Sequence, residues 1–193
     1  MSDIAFSCRC GAVRGTVSGL EPASGTHAVC YCDSCRAAEL YLRQPDPEDA
    51  GVHIFQTGPD RLTFDAGREL VAPMSFTGKG ALRWRATCCD TPMFNTARTP
   101  KISFVGIRTP ILSDPSACGP VTGWAFVPGR NGKTRHRGLY ALAVKGGMRM
   151  LMQRLSGRWK DTPFFDVETG KPLQPVDVLP KGLRKELLAT ANT

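Results

Sequence analysis

The chain has 193 residues, 41% hydrophobic and 22% charged, an ordinary balance for a soluble globular protein and long enough for one domain carrying a substantial extension. No apolar run approaches the span of a bilayer, and Met1 to Phe6 holds an acid at Asp3 and no apolar core segment; a cytoplasmic protein with no signal peptide and no membrane partner is therefore expected. The formal charge of +8, from 25 basic and 17 acidic residues, treats every cysteine as neutral; two zinc ions on seven thiolates would leave roughly +5, which weighs against a nucleic-acid partner.

Seven of the eight cysteines fall in close groups: Cys8/Cys10, Cys30/Cys32/Cys35 and Cys88/Cys89. In a reducing compartment such clustering points to metal rather than disulfides. Cys118 stands apart and reads as a small buried apolar residue.

In chain order, Cys8-Arg9-Cys10 puts two sulfurs on one side of an extended segment, and the alternation that follows predicts a strand over about 12–18. Residues 19–26 read as a loop, after which His27-Ala28-Val29 leads into Cys30-Tyr31-Cys32-Asp33-Ser34-Cys35-Arg36. Asp33 or Ser34 is expected to cap a helix running to about Tyr41 or Leu42, with Cys35 in its first turn, where the helix dipole favours a thiolate. From Val52 to Ala97 the text is that of an antiparallel meander, in which Leu82 and Trp84 face inward and Arg83 and Arg85 outward, ending at Cys88-Cys89-Asp90-Thr91-Pro92. In a regular strand adjacent side chains point to opposite faces, so Cys88 and Cys89 share one ion only if the backbone turns sharply there.

Past residue 98 the thiol signal stops. Strands are expected over 102–107 and 121–127, a basic loop over 130–137, and a helix over about 138–156. Its apolar side chains are Tyr140, Val144, Met148, Leu151, Met152 and Leu155, and the glycine pair Gly146-Gly147 bends or breaks it. The methionines read as core filling and packing surface. An irregular tail ends in a short helix near 183–189.

Taken together, Cys8-x-Cys10-Gly11-Ala12-Val13-Arg14, Cys30-x-Cys32-x-x-Cys35-Arg36 and Cys89-Asp90-Thr91-Pro92 make a pattern that resembles the glutathione-dependent formaldehyde-activating enzyme family over roughly residues 6–97. The resemblance implies a mainly β, zinc-binding β-tent of antiparallel sheets over 1–97, with one short helix after the middle motif and a C-terminal extension (98–193), containing a helix, packed on it. It also implies a structural zinc on Cys8, Cys10 and Cys89, and a second zinc on Cys30, Cys32 and Cys35 with an open position. The activity implied is a carbon–sulfur lyase or thiol-adduct reaction joining a glutathione-like thiol to formaldehyde. The chain departs from the family's pattern at two places. The late motif has Ala86 where the family has cysteine, and Cys88 instead; Cys88 either completes the structural site through a distorted turn or faces elsewhere, toward the second ion. Tyr31 stands where the family commonly has histidine, leaving His27 and the Tyr31 hydroxyl as the nearest proton acceptors in sequence.

Zinc on three thiolates carries about −1, and an added thiolate about −2, which calls for nearby positive charge. Arg36, Arg83 and Arg85 are the candidates to supply it and to bind a ligand's carboxylates. Two functional classes stay open: a thiol-adduct enzyme, and a non-catalytic zinc-stabilised module that binds a protein partner or a second copy. A zinc-ribbon-like nucleic-acid binder is disfavoured, because no aromatic–basic stacking cluster appears.

Overall fold

Apolar and polar residues alternate along the first strands, and that period-two pattern sets which of their side chains enter the core. The computed structural model describes residues 2–130, 133–138 and 140–191. Strand β1 (Ser2–Ser7), ahead of the first strand expected, buries Ile4 and Phe6 while Ala5 and Ser7 stay exposed. It pairs antiparallel with β2 (Arg14–Leu20), and β2 pairs with β5 (Leu62–Ala66) to make a three-stranded sheet. Gly15 is required in β2: a Cβ there would stand 2.1 Å from the Thr63 carbonyl oxygen and 2.5 Å from the Phe6 ring.

The second sheet is built from β3 (Thr26–Cys30), β4 (Val52–Thr57), β6 (Val71–Ser75), β7 (Leu82–Ala86), β8 (Thr91–Thr96), β9 (Val105–Arg108), β10 (Gly123–Pro128), β11 (Thr134–Arg137) and β12 (Asp177–Val178). Their spatial order is β11-β10-β3-β4-β9-β8-β7-β6-β12. Pairing is antiparallel except for β10 on β3 and β12 on β6, both parallel. Chain from the extension is thus woven into the sheet, with β9 lying between β4 and β8.

Between the two sheets lies an aromatic core. Phe6, Phe55, Trp84, Phe94 and Phe164 are at most 2% exposed, with Phe6 and Phe94 edge-on at 5.4 Å and Trp84 against Phe164 at 4.8 Å. Burying each such ring is worth roughly 1.5–3 kcal/mol, so these five carry much of the fold's stability. Cys118 is buried in the same core, as its isolation suggested.

The opposite face of the large sheet is covered by helices. Helix α1 (Asp33–Tyr41) packs Ala37 and Ala38 with Leu42, Met74 and Phe76, and α3 (Leu183–Ala191) lies against it through Leu183, Leu187 and Leu188. Strand alternation decides what that face presents: Leu82 and Trp84 enter the aromatic core, so Arg83, paired with Met74, emerges on the α1 side. By the same logic Cys30 pairs with Val52, and Ile54 with Arg108, on the α1 side. Arg83 therefore points not simply outward but beneath α1, whereas Arg85 meets Asp90 of the following turn.

Four local expectations are corrected. The N-cap of α1 is Cys32, in extended conformation and without a side-chain cap bond, rather than Asp33 or Ser34; the Ser34 hydroxyl instead accepts from Arg184 at 3.1 Å. The helix expected over 138–156 is a π-helical turn, Tyr140–Lys145, that gives way at Gly146 to α2 (Gly146–Leu155); Leu139 of that span lies outside the described residues. Met148 and Met152 are not core filling but 56% and 57% exposed. The basic loop is in part the exposed strand β11, and its residues 131–132 lie outside the described residues. Among the described residues no helix is long and apolar enough to cross a membrane.

Candidate metal centres

Two hairpin turns meet to make the first thiol group. Cys8 and Cys10 lie in the β1–β2 turn, where Gly11 takes φ +77° and donates its N–H to the Cys8 carbonyl at 3.0 Å. The Val13 N–H donates to the Cys8 sulfur at 3.3 Å, which fixes the sulfur's position in the turn. Cys88 and Cys89 occupy the β7–β8 turn, closed by Asp90 in the left-handed region (φ 54°) and by an Arg85–Asp90 ion pair at 2.5 Å. Because these two cysteines sit in a turn rather than a strand, the alternation rule does not separate them. Arg9 ties the turns together, its N–H donating to the Thr91 hydroxyl at 3.0 Å and its guanidinium to the Cys89 carbonyl at 2.9 Å.

The resulting sulfur distances are 3.5 Å (Cys8–Cys10), 3.8 Å (Cys8–Cys88), 3.4 Å (Cys10–Cys88) and 3.8 Å (Cys88–Cys89). A tetrahedral ion with metal–sulfur bonds of about 2.3 Å holds its sulfurs about 3.8 Å apart. Cys8, Cys10, Cys88 and Cys89 thus fit a four-thiolate metal site, with all four sulfurs within 4.8 Å of one another. Cys88 belongs to this group, which settles where it points. Burial pushes the Cys89 thiol up, but the Thr91 hydroxyl 3.1 Å away and backbone N–H groups outweigh it and bring the thiol down to about 6.

The second group forms where β3 runs into α1. Cys30 ends the strand, Cys32 caps the helix and Cys35 sits in its first turn, so a strand end and one helical turn suffice to converge three sulfurs within 4.8 Å. Cys30 and Cys32 are 3.4 Å apart. Hydrogen bonds from Cys30 and Cys35 pull the Cys32 thiol well below its ordinary value, and the same bond pushes Cys30 up, so negative charge settles first on Cys32. Among the described residues no fourth His, Cys, Asp or Glu joins this group. Both sets can hold a metal ion.

The three arginines expected to bind ligand have different surroundings. Arg36 meets Asp46 through two hydrogen bonds of 2.8 and 2.6 Å, and Arg85 meets Asp90. Arg83 is the one whose charge acts on Cys32 and Cys35, and its buried Nε has no partner among the described residues.

Beside Arg83 lies a pair that spacing does not reveal. Arg108 and Glu39, both buried, form an ion pair at 3.1 Å, and Arg108 also donates to the His53 carbonyl at 2.6 Å. Burial raises the Glu39 carboxyl above its ordinary value even though Arg108 opposes the shift. Glu39 and Arg108 line both a cavity of about 10 Å³, shared with Cys35 and Arg83, and a cleft of about 800 Å³ that reaches past Phe6 to Cys8, Arg9 and Arg14. The pair is a wall between the trithiol group and that cleft.

His27, a proton acceptor near the middle motif in sequence, has both ring nitrogens engaged, by the Gly119 carbonyl at 2.8 Å and by His53 at 3.2 Å. Burial, then the neighbouring His27 and Arg108, lower the His53 pKa from 6.5. The unfolded chain therefore binds this proton more readily, so the contribution of neutral His53 is present above pH 6.5 and is lost as pH falls through the lower folded value. Urea unfolding of wild type should weaken below pH 6.5, and His53→Gln should flatten that part of the profile; an unchanged slope would exclude His53 as its source.

Residues 1–148 match the model of a family of unknown function, DUF6151. The chain belongs to that family. The match takes in both thiol groups, Glu39 and Arg108, and ends inside α2. A crystal structure of a Rhodobacter sphaeroides protein aligns with 63% of this chain and 99% of its own at 22% identity, with a TM-score of 0.45. No curated protein matches. Every cysteine of the two groups was visible in the sequence of this DUF6151 chain, whereas Arg108 was not. The one available signal for Arg108 was a cation ending an otherwise apolar strand, Val105 to Ile107.

Proposed function

We propose that the protein carries two zinc ions, one structural and one open, and that the open site performs thiol-adduct chemistry on a glutathione-like thiol and a small aldehyde. The difference between the two donor sets carries this reading: four thiols close one site, while the other offers three beside the cation Arg83. Zinc bound by Cys30, Cys32 and Cys35 would supply a coordination position at which an incoming thiol is held as thiolate. Arg83 offsets the negative charge gathered there. Glu39 and Arg108 border the trithiol group on one side and the cleft on the other. In the reaction proposed, the thiol sulfur bonds to the aldehyde carbon and the thiol proton passes to the carbonyl oxygen. The resemblance to formaldehyde-activating enzymes supports the same assignment.

One observation favours a second reading, a non-catalytic zinc-stabilised module for a protein partner: His27 is engaged on both nitrogens. Calorimetric titration with glutathione, followed by formaldehyde consumption, decides between them. Wild type should bind the thiol and consume the aldehyde, and Cys35→Ser should do neither while keeping its circular dichroism. Two retained ions with no thiol binding would sink the enzyme reading.

A further inference from the structure

Charge is not spread evenly along this chain. Between Asp114 and Asp161 there is no acidic residue, but there are nine lysines and arginines, which leaves the rest of the chain with 16 basic against 17 acidic residues. The whole net charge of +8 thus resides in one segment. That segment forms β10, the exposed strand β11, the π-helical turn and α2.

It also carries most of the exposed large apolar side chains. Tyr140 (67%), Val144, Met148, Leu151, Met152 and Leu155 (74%) recur at helical spacing along the π turn and α2, and Phe126 is exposed on β10. Only the other side of the helix is anchored: Arg149 donates to the Gly25 carbonyl and the Thr26 hydroxyl, and Gln153 bonds Ser103 and Asp60. Lys145, Arg154, Arg158 and Lys160 are exposed around the apolar row, and among the described residues none of them is in an ion pair. Arg154 instead lies over the Trp159 ring at 4.5 Å.

We propose that this face docks on an anionic lipid bilayer surface, with the apolar row entering the headgroup boundary and the flanking cations meeting lipid phosphates and carboxylates. A helix with one apolar side, cations around it, an aromatic at its end and no acid is the composition that lies in a membrane interface. The broad, unpaired positive field is the complement of an anionic leaflet. Nucleic acid would use the cations but leave the Leu and Met side chains in water. The expectation of no membrane partner rested on the lack of a spanning segment, which does not bear on a surface-bound helix. This proposal is independent of the metal reading.

Flotation of the full-length protein with vesicles of phosphatidylcholine, alone or mixed with phosphatidylglycerol, is the test. Recovery with the mixed vesicles should exceed that with neutral ones by about tenfold or more and fall with added salt. The Leu151→Ser/Leu155→Ser variant, altered only at exposed positions, should lose most of that recovery, and Lys145→Gln/Arg154→Gln should lose the preference for the anionic lipid. Equal recovery with both vesicles, or none with either, would overturn the proposal. So would binding to an acidic peptide or oligonucleotide that survives Leu151→Ser/Leu155→Ser while vesicles are ignored.

Discussion

Cys10→Ser and Cys88→Ser are expected to lose cooperative folding at ambient temperature, whereas Cys35→Ser is expected to melt close to wild type. The contrast follows from what each group holds. Cys8, Cys10, Cys88 and Cys89 join two turns from different sheets, and a structural zinc on such a set is worth roughly 10–16 kcal/mol of apparent binding energy. Total stability of a domain is about 5–15 kcal/mol, so losing that site removes an amount comparable to the whole. Cys10 and Cys88 are exposed, so a serine there costs no packing and isolates the ligand's role; Cys8, 2% exposed, would confound the two. The trithiol group lies within one strand–helix junction, and its loss disconnects nothing. Thermal melts followed by circular dichroism, under reducing conditions because Cys10 and Cys88 lie 3.4 Å apart, give the answer. A Cys10→Ser protein that melts like wild type would remove the structural role.

The second large effect belongs to Glu39 and Arg108. Removing one partner of a buried pair leaves the other charge uncompensated, at a cost of about 3–5 kcal/mol, whereas replacing both by apolar residues of similar volume is often neutral. Arg108→Met should therefore destabilise by about 3–5 kcal/mol, and Glu39→Leu/Arg108→Met should recover most of the loss. The recovery will be incomplete, since Arg108 also donates to the His53 carbonyl. Urea unfolding of the two single variants and the double variant closes the cycle; additive losses would show that the pair is not coupled.

How far the sequence speaks depends on the range of the signal. Cysteine spacing is local chemistry, so both thiol groups could be read from it, and alternation gave β4 through β8 because neighbouring residues alone set which face they take. The N-cap was misplaced because Asp33 and Ser34 are good caps in general, while here Cys32, two residues past the end of β3, occupies the position. Cys88 was ambiguous because alternation cannot tell a strand from a four-residue turn, and Asp90 supplies that turn. Arg108 meets Glu39 only through the placement of β9 in mid-sheet, a long-range fact. For α2 the periodicity correctly found an apolar face but could not say what covers it; in this chain nothing among the described residues does so fully.

Native mass spectrometry of protein purified under reducing conditions without added metal tests the central claim most directly. Two zinc ions per chain are predicted for wild type and one for a still folded Cys35→Ser. A wild-type chain that carries no metal, or a Cys35→Ser chain that still carries two ions, would contradict it.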